Sequence, residues 1–451
     1  MAQQSISVEK LRRRQHWAWY MYDFGNSAYA AIILLAVFSK YFVEVVAKDT
    51  RLPGTTLWNY SVVIAALIVA VISPVLGTIA DFSRAKKRLL VIFTVISVVF
   101  TGLLFFVQAG DVFMAMAFFI LAEIGYRASQ VFYDSLLVDV STPETIGKIS
   151  GNGWAMGMVG GIVCLVIVLV PIQMIGGQFM VRLSFLITAL FFLISAIPIF
   201  VRVRQINQPE VLPAGMTTLR MAFSKLSQTF RDVKRYREFI KYAISFLVYN
   251  DGIMMLMDNA ALVAAILFGF KTSELIVLII ILQIAGAAGA YLFGWISNKY
   301  SSKQAILYSL VMLALVIGSL YLTDSKAIFY IIGALAGFSL SGVQAVSRTM
   351  VSQLSPRTKT TEFYGFLSVA GRTSTAIGPL VFGSTFALMV RWYTNHQYSA
   401  ELANKNAMYW AIGTVIVFLV VGLVFLLRVR KVTHKEPIRF SELTAEVESN
   451  E

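Results

Sequence analysis

The stretch Phe113–Leu137 reads FMAMAFFILAEIGYRASQVFYDSLL, an apolar run interrupted by a few polar residues. Its polar stripe consists of Glu123, Arg127, Gln130 and Asp134. Spacings of four, three and four positions put all of them on one face of an α-helix. The length and composition of the stretch predict a membrane span. Ionisable groups at membrane depth are costly and normally face a partner or a water-filled cavity. The stripe therefore indicates several membrane helices around a polar cavity.

The rest of the chain has the composition of a membrane protein. Of its 451 residues, 58% are hydrophobic and 14% are charged, whereas roughly a quarter of a soluble domain is charged. A membrane span takes about 20 apolar residues. The predicted spans are residues 17–46, 57–80, 89–108, 112–138, 151–172, 179–201, 240–269, 273–297, 304–323, 327–350, 362–389 and 405–428. The predicted fold class is therefore an all-α membrane protein with twelve transmembrane helices.

The charged residues predict the orientation of these spans. The net charge is +14, and most of the 38 Lys and Arg residues fall in loops on the side that would hold both termini. Such a bias predicts a multi-pass protein of the bacterial inner membrane with both termini cytoplasmic. We expect the basic surface to meet anionic headgroups of the lipid bilayer, and we expect no nucleic-acid partner.

Six spans on either side of a basic segment indicate a chain built from two halves. The predicted organisation is a cytoplasmic N-terminus (1–16), an N-terminal six-helix bundle (17–203), a basic cytoplasmic linker (204–238), a C-terminal six-helix bundle (239–430) and a cytoplasmic tail (431–451). The halves align at an offset of about 214 residues. The aligned pairs are Gln130 with Gln344, Asp134 with Arg348, Gly151 with Gly365 and Gly157 with Gly371. Parallel repeats of six spans predict two bundles related by a pseudo-two-fold axis, with a site between them near mid-membrane.

The sequence offers little for metal, cofactor or nucleophilic chemistry. Its three histidines fall in loops or tails far from one another, and its single cysteine falls inside a predicted span. These residues are His16, His396, His434 and Cys164. The chain contains no Gly-x-x-x-x-Gly-Lys-Ser/Thr loop for a nucleotide phosphate. We therefore expect no cofactor, no metal and no catalytic residue, and neither an enzyme nor an ATP-driven pump.

A glycine near the end of the second predicted span is followed, just after that span, by an acid and a basic run. These residues are Gly77, Asp81, Arg84, Lys86, Lys87 and Arg88. The segment resembles the cytoplasmic signature between spans two and three of the major facilitator superfamily, although Phe82 and Arg84 replace the usual Arg and the second Gly. A weaker copy in the second half carries Asn298 instead of the acid. The resemblance implies a cytoplasmic gate in which Asp81 meets the positive end of span eleven near Thr361–Glu362. The alternative is a charge cluster that only sets the topology.

Five further motifs occur in order along the spans. They are Trp19–Tyr29 in span one, Phe132–Leu137 at the end of span four, Ser150–Gly157 in span five, Phe246–Gly252 in span seven, and Glu362–Gly365 with Gly378–Pro379 in span eleven. Together they resemble the bacterial branch of the vacuole-effluxer family, whose fungal members are autophagy-related exporters of amino acids. The resemblance covers nearly the whole transmembrane region. It implies the major facilitator fold and transport, with amino acids or short peptides as the first substrates to consider.

In this architecture spans one, four, seven and ten line the central cavity, and each carries a polar face. The candidate substrate and coupling residues are Asp23, Asn26, Tyr29, Glu123, Arg127, Gln130, Asp134, Asp251, Asp258, Gln344 and Arg348. Glu123 and Arg127 are one turn apart, so they form either a static ion pair or a site in which Arg127 holds a substrate carboxylate. Arg348 is a second candidate anion clamp, and Asp23 is a candidate gate residue. Asp251 lies deeper, which makes it a candidate for proton coupling.

These patterns favour a secondary-active transporter that moves a small polar organic solute by alternating access. Acidic residues at mid-membrane positions favour proton coupling over passive facilitation. The alternative is a facilitator or flippase for an amphiphilic, lysolipid-like substrate, which the Met- and Phe-rich spans permit. A membrane enzyme or a sensor fits less well, because the sequence shows no nucleophile motif and no sizeable extramembrane domain. We expect a monomer.

Overall fold

The computed structural model describes residues 2–83, 85–205, 236–270, 272–356 and 359–430, together with positions 220, 221, 223, 224 and 227. Within these ranges it does not cover the side chains at 2–10, 55, 82, 261, 272, 273, 276, 369, 370 and 372–376. Arg84 of the gate motif, most of the predicted linker and the tail 431–451 lie outside the described residues.

Long α-helices account for most of the described residues. They are α1 (Ala2–Tyr29), α2 (Gly54–Ser83), α3 (Lys86–Leu103), α4 (Val112–Ser135), α5 (Ile146–Ile175), α6 (Gly177–Arg202), α7 (Arg237–Phe268), α8 (Thr272–Lys299), α9 (Ser302–Gly318), α10 (Lys326–Leu354), α11 (Thr360–Asn395) and α12 (Ala400–Leu427). After α1, the chain continues through two π-helical segments, Ala30–Ala36 and Phe42–Val46, with the short helix Phe38–Tyr41 between them. Another short helix, Leu137–Val140, follows α4.

Within the described part of the chain, eleven of these helices are long and apolar enough to cross a membrane. The remaining one is α11, whose 36 residues mix apolar side chains with many Gly, Ser and Thr. Large apolar side chains point outward on the other helices, as at Val71 and Leu315, and such a surface suits contact with lipid. The structure is an all-helical membrane protein, and the predicted count of twelve spans depends on α11.

Both ends of the described chain lie at one end of the helix bundle. Near the start of the first span, His16 Nε2 lies 2.8 Å from the carbonyl oxygen of Val140, which follows α4. At the start of α9, Lys303 Nζ donates a 2.8 Å hydrogen bond to the carbonyl oxygen of Leu427, the last residue of α12. We call this the terminal end of the bundle. It also holds the α2–α3 and α10–α11 connections.

The buried apolar side chains divide between the two halves of the chain. Two clusters are drawn from residues 18–203, and a third is drawn from residues 239–429 together with Val131 of α4. The halves meet where α2 packs against α11 and where α5 packs against α8 and α10. Each half therefore has its own core, and the two halves meet at a seam where helices pack closely, as at Gly151 of α5 and Gly294 of α8.

Glycines allow helices of the same half to approach closely. A Cβ atom at Gly160 of α5 would overlap the carbonyl oxygen of Phe24 in α1, and one at Gly289 of α8 would overlap that of Phe338 in α10. Small residues at such crossings let membrane helices pack backbone to backbone. By contrast, Gly383 of α11 has open space around it.

We expect Gly160→Ala to lower the thermal stability of the purified protein. The added methyl group would push α1 and α5 apart, and overpacking of this kind costs about 1–3 kcal/mol. Gly383→Ala is the matched control, because its methyl group meets no neighbour and alanine favours a helix by roughly 0.5–1 kcal/mol over glycine. The measurement is the midpoint of thermal unfolding in detergent. A midpoint for Gly160→Ala at or above that of Gly383→Ala would contradict the close crossing.

Candidate functional site

The middle of α4 carries an ion pair in the interior of the bundle. Glu123 is wholly buried and accepts a hydrogen bond from Nε of Arg127, whose side chain is 23% exposed. The ring of Tyr126 stacks on that of Tyr29 in α1, with the centroids 4.5 Å apart. Among the described residues, the second carboxylate oxygen of Glu123 has no hydrogen-bond partner. The pair thus neutralises itself but keeps an accessible guanidinium edge and a free acceptor.

Amide side chains occupy the interior on four helices. Gln344 of α10 donates from Nε2 to Oδ1 of Asn250 on α7 over 3.3 Å. Gln130 of α4 is half-buried, three residues along from Arg127. Asn26 of α1 is buried, and its Oδ1 has no partner among the described residues. The helices that the sequence assigns to the cavity, α1, α4, α7 and α10, therefore each carry an amide inside the bundle.

The two acids of α7 have different surroundings. Asp251 is buried, and its Oδ1 accepts a 3.1 Å hydrogen bond from the backbone N–H of Gly378 in α11. Gly378 precedes Pro379, the proline inside α11. Asp258 is exposed. Asp251 therefore ties α7 to α11 within the second half, in addition to any part in proton coupling.

Nearer the terminal end, Arg348 of α10 crosses the seam between the halves. Its Nη1 donates to Oδ2 of Asp23 on α1 at 3.1 Å and to Oδ1 of Asp134 on α4 at 3.2 Å. Its Nη2 donates to the carbonyl oxygen of Ser150 on α5 at 3.0 Å. Only 4% of Asp23 and 6% of Arg348 are exposed. One guanidinium of the second half thus binds three helices of the first half.

Aromatic rings surround this guanidinium. Its carbon lies 5.3 Å from a ring centroid of Trp19, 5.8 Å from that of Tyr133 and 5.0 Å from that of Trp154. Trp19 and Tyr133 are stacked 4.5 Å apart, and Trp19 Nε1 donates to the carbonyl oxygen of Tyr133 at 3.2 Å. Ring faces attract cations. The rings therefore hold the Arg348 guanidinium in place and limit its contact with water.

Asp134 and Arg348 occupy corresponding positions in the repeat at the 214-residue offset. Their ion pair therefore joins a residue of the first half to its own counterpart in the second. Residues related by a two-fold axis can touch only close to that axis, so these two side chains meet near it. The sequence aligns these two positions but predicts Arg348 as an anion clamp. In the structure, Nη1 and Nη2 of its guanidinium instead bind two carboxylates and a carbonyl oxygen of the protein.

The carboxylate of Asp81, near the end of α2, binds the first turn of α11. Its Oδ1 accepts from the backbone N–H and the hydroxyl of Thr361 at 3.2 and 2.7 Å, and its Oδ2 accepts from the N–H of Glu362 at 2.9 Å. Free N–H groups and the helix dipole both favour an anion at this place. Gly77 lies one turn earlier, where a Cβ atom would come within 2.7 Å of the Thr361 carbonyl oxygen. This contact holds α2 and α11, from different halves, together at the terminal end.

A buried lysine neutralises this carboxylate. Lys86 Nζ lies 3.4 Å from Asp81 and 3.7 Å from Asp139, which belongs to the short helix after α4. Sequence reasoning singled out Lys86 as part of a basic run but missed Asp139. The available signal was the position of Asp139 just beyond the span-four motif. The start of α3 is thereby tied both to the end of α2 and to the end of α4.

The other basic residues of the motif have separate surroundings. Lys87 Nζ donates to the carbonyl oxygen of Val203, just after α6, at 3.0 Å. Arg88 is exposed. Arg84 lies outside the described residues. Of the motif's basic residues, Lys86 is therefore the one that the described structure places at the α2–α11 contact.

The second half carries a counterpart of the Asp81 contact. Asn298, near the end of α8, accepts through Oδ1 from the N–H groups of Gly147 at 2.9 Å and Lys148 at 3.2 Å, in the first turn of α5. Its Nδ2 donates to the carbonyl oxygen of Glu144. The two N–H groups correspond, at the 214-residue offset, to those that bind Asp81. In both contacts a side chain of one half accepts from the first N–H groups of a helix in the other half, and we call such a contact a helix-start clamp. The Asp81 clamp uses a carboxylate, and the Asn298 clamp uses a neutral amide.

Arg348, Asp23 and Asp134 together form what we call the Arg348 cluster. The two clamps and this cluster all join the halves at the terminal end, so the seam is closed there. Glu123 lies eleven residues from Asp134 on α4, which is about 16 Å along the helix axis. The structure therefore separates a closed set of contacts at one end from an ion pair nearer the middle of the bundle. Such an arrangement can serve as a gate and an inner site.

Comparison of the sequence with known proteins identifies a family, and comparison of the structure identifies a fold. Residues 53–388 match the family described as "Vacuole effluxer Atg22 like". The "Uncharacterized MFS-type transporter YxiO" of Bacillus subtilis is 25% identical over 92% of this chain and 94% of its own length. "Autophagy-related protein 22" of Kluyveromyces lactis is 22% identical over 74% of each protein.

Among solved structures, the human organic anion transporter MFSD10 aligns with a TM-score of 0.69 at 11% identity, over 92% of this chain and 99% of that chain. The major facilitator proton:xylose symporter XylE aligns with a TM-score of 0.66 at 12% identity, over 97% and 99%. At such identities the likeness shows the fold alone, which is that of the major facilitator superfamily. The chain thus belongs to the Atg22-like vacuole effluxer family and is a multi-pass membrane transporter of the major facilitator type.

Proposed function

We propose that this protein is a secondary-active transporter that moves a small polar organic solute by alternating access, driven by protons, with an amino acid or a short peptide as its substrate. We place it in the bacterial inner membrane with the terminal end facing the cytoplasm. The observation that carries the proposal is the Glu123–Arg127 pair, because it offers both signs of charge at mid-membrane depth while Arg127 stays partly accessible.

A zwitterion fits this pair better than an ion of one sign. The exposed edge of the Arg127 guanidinium can bind a substrate carboxylate through two parallel hydrogen bonds. The negative charge of Glu123, buried beside it, attracts a substrate ammonium. Because the substrate brings one charge of each sign, binding leaves the net charge of the site unchanged. This avoids the large cost of adding an unbalanced charge at membrane depth.

The closed terminal end supports alternating access. Passage through this end requires the Asp81 clamp, the Asn298 clamp and the Arg348 cluster to open, since all three bridge the seam. Each is made of hydrogen bonds or ion pairs between side chains and helices of different halves. Such contacts can break and re-form as the two halves rock against one another.

We expect Arg127→Gln to abolish most transport. Loss of the guanidinium removes the contact with the substrate carboxylate and leaves Glu123 buried without its partner. A hydrogen bond to a charged group is worth about 1.5–3 kcal/mol. Substrate binding should therefore weaken roughly 10- to 100-fold. Arg127→Lys should rescue only in part, because lysine lacks the planar fork. The measurement is uptake of the individual amino acids into proteoliposomes, after a thermal-shift screen has chosen those that stabilise the protein.

Lys40→Gln provides the matched control. Lys40 and Glu44 have the same four-residue spacing as the α4 pair, but their side chains are 66% and 61% exposed. Loss of this exposed ion pair in Lys40→Gln should leave uptake unchanged. Undiminished uptake in Arg127→Gln would remove the α4 pair from the substrate site. Stabilisation by lysolipids, with no response to any amino acid or peptide, would replace the solute proposal with the flippase alternative.

We expect Asn298→Ala to shift the protein toward the state that is open at the terminal end. The substitution removes the acceptor for two N–H groups of α5, and loss of such a cap costs about 0.5–2 kcal/mol, or a roughly 2- to 30-fold change in the ratio of open to closed. The measurement is labelling of Asn152→Cys by an impermeant maleimide, in a Cys164→Ser background. Asn152 is half-buried one turn inside the clamp.

Ser301→Ala is the control for this experiment. Ser301 caps α9 by accepting from the N–H of Gln304 at 3.2 Å, so it is also a helix cap at the terminal end, but both residues belong to the second half. We expect its labelling to match that of the parent. Equal labelling of all three proteins would show that the Asn298 clamp does not hold the seam closed.

A further inference from the structure

The Arg348 cluster contains one more acid than base. Asp23 and Asp134 both bind the same nitrogen of Arg348, and neither lies within ion-pair distance of another Lys, Arg or His in the described chain. Among the described residues, the other titratable groups that face the cluster are neutral tyrosines, namely Tyr22, Tyr126, Tyr133 and Tyr364. With both carboxylates ionised, the closed cluster would carry a net charge of −1.

A buried net charge of −1 is unfavourable in this place. Arginine stays protonated in proteins, so it cannot adjust the balance. An uncompensated charge away from water is costly, and two carboxylates that share one site do not both ionise easily. Asp134 retains some exposure, with 19% of its side chain accessible, which provides a route for a proton. The balance is restored if the closed cluster binds one positive charge.

We infer that the closed cluster is the proton-binding site of the transport cycle, with one proton shared between Asp23 and Asp134. When the seam opens, Arg348 leaves with the second half and the two carboxyl groups meet water. The O–H bond of the protonated carboxyl group then breaks, and the proton passes to water on the terminal side. This inference rests on the proposed function, because it names the residues that couple protons to solute movement.

The location of the cluster explains why protonation and gating would be linked. Both acids belong to the first half and the cation belongs to the second, so the cluster exists only while the seam is closed. Asp251 lacks this property, since its hydrogen bond to Gly378 stays within the second half. The cluster also lies about 16 Å along α4 from Glu123, so proton and solute would occupy separate sites.

The sign of the pH effect follows from the charge count. At low pH the shared proton neutralises the cluster and favours the closed seam. At high pH the proton is lost and the closed state carries an unbalanced charge. The population of the open state therefore increases. Asp134→Asn leaves one carboxylate for one guanidinium, so the closed seam should persist at all pH values. Asp23→Asn should act in the same way.

The experiment measures the width of the seam directly. Spin labels at Arg14→Cys and Arg428→Cys, exposed positions of the two halves at the terminal end, report the distance between the halves in a Cys164→Ser background. Between about pH 5 and pH 9, we expect the long-distance population to grow in the parent and to stay low in Asp134→Asn and Asp23→Asn. The double variant should be open throughout, because Arg348 then has no anion. Asp49→Asn, at an exposed loop position, should follow the parent.

Two results would overturn the inference. One is a parent-like pH response in both single variants, which would move the proton to another group, with Asp251 next in line. The other is a seam that closes with added Na⁺ at constant pH but not with protons, which would make the bound charge a metal cation. Transport assays separate this inference from the proposed function. Proton-driven uptake that survives Asp134→Asn would refute the coupling site alone, whereas a pH response without uptake of any amino acid or peptide would refute only the substrate.

Discussion

The contact between Arg348 and the two acids of α1 and α4 is the interaction on which the closed state depends. It is the one ion pair system of the described chain that joins the halves directly across the seam. The aromatic rings around it exclude water and strengthen the electrostatic attraction, since the dielectric constant there is low. The same low dielectric makes any imbalance of charge costly. One cluster thus supplies both the strength of the closed seam and its sensitivity to a proton.

The two helix-start clamps share one geometry and join the halves through helix N-termini instead of an ion pair. Each uses the unpaired N–H groups of a helix from the other half, so each holds the halves together without an apolar interlock. Asp81 adds charge to that contact and therefore needs the buried Lys86 beside it. Asn298 adds no charge and needs no lysine. The asymmetry between the copies lets the two sides of the seam differ in strength while sharing one backbone arrangement.

Periodicity and length were enough to predict the helical class, the two halves and the polar stripe of α4. They could not predict partners across the seam, because these depend on the rotation of α1, α4 and α10 about their axes, which local pattern does not set. Arg348 is an example. The sequence predicts that this arginine binds the anion of a substrate, whereas in the structure it binds the carboxylates of Asp23 and Asp134. Asp139 and the π-helical continuation of α1 left no periodic signal. The count of twelve spans was hardest at α11, where Gly, Ser and Thr dilute the apolar pattern.

The two ionic sites on α4 differ in a way that assigns them different tasks. Glu123 and Arg127 belong to the same helix and balance each other, so their net charge does not change when the halves move. A site of this kind can exchange its internal partner for a zwitterion without help from a proton. The Asp134 site is balanced only in part and only when the seam is closed, so its charge state changes with conformation. Coupling requires a group whose proton affinity differs between conformations, and of the two sites only the one near the terminal end meets that requirement.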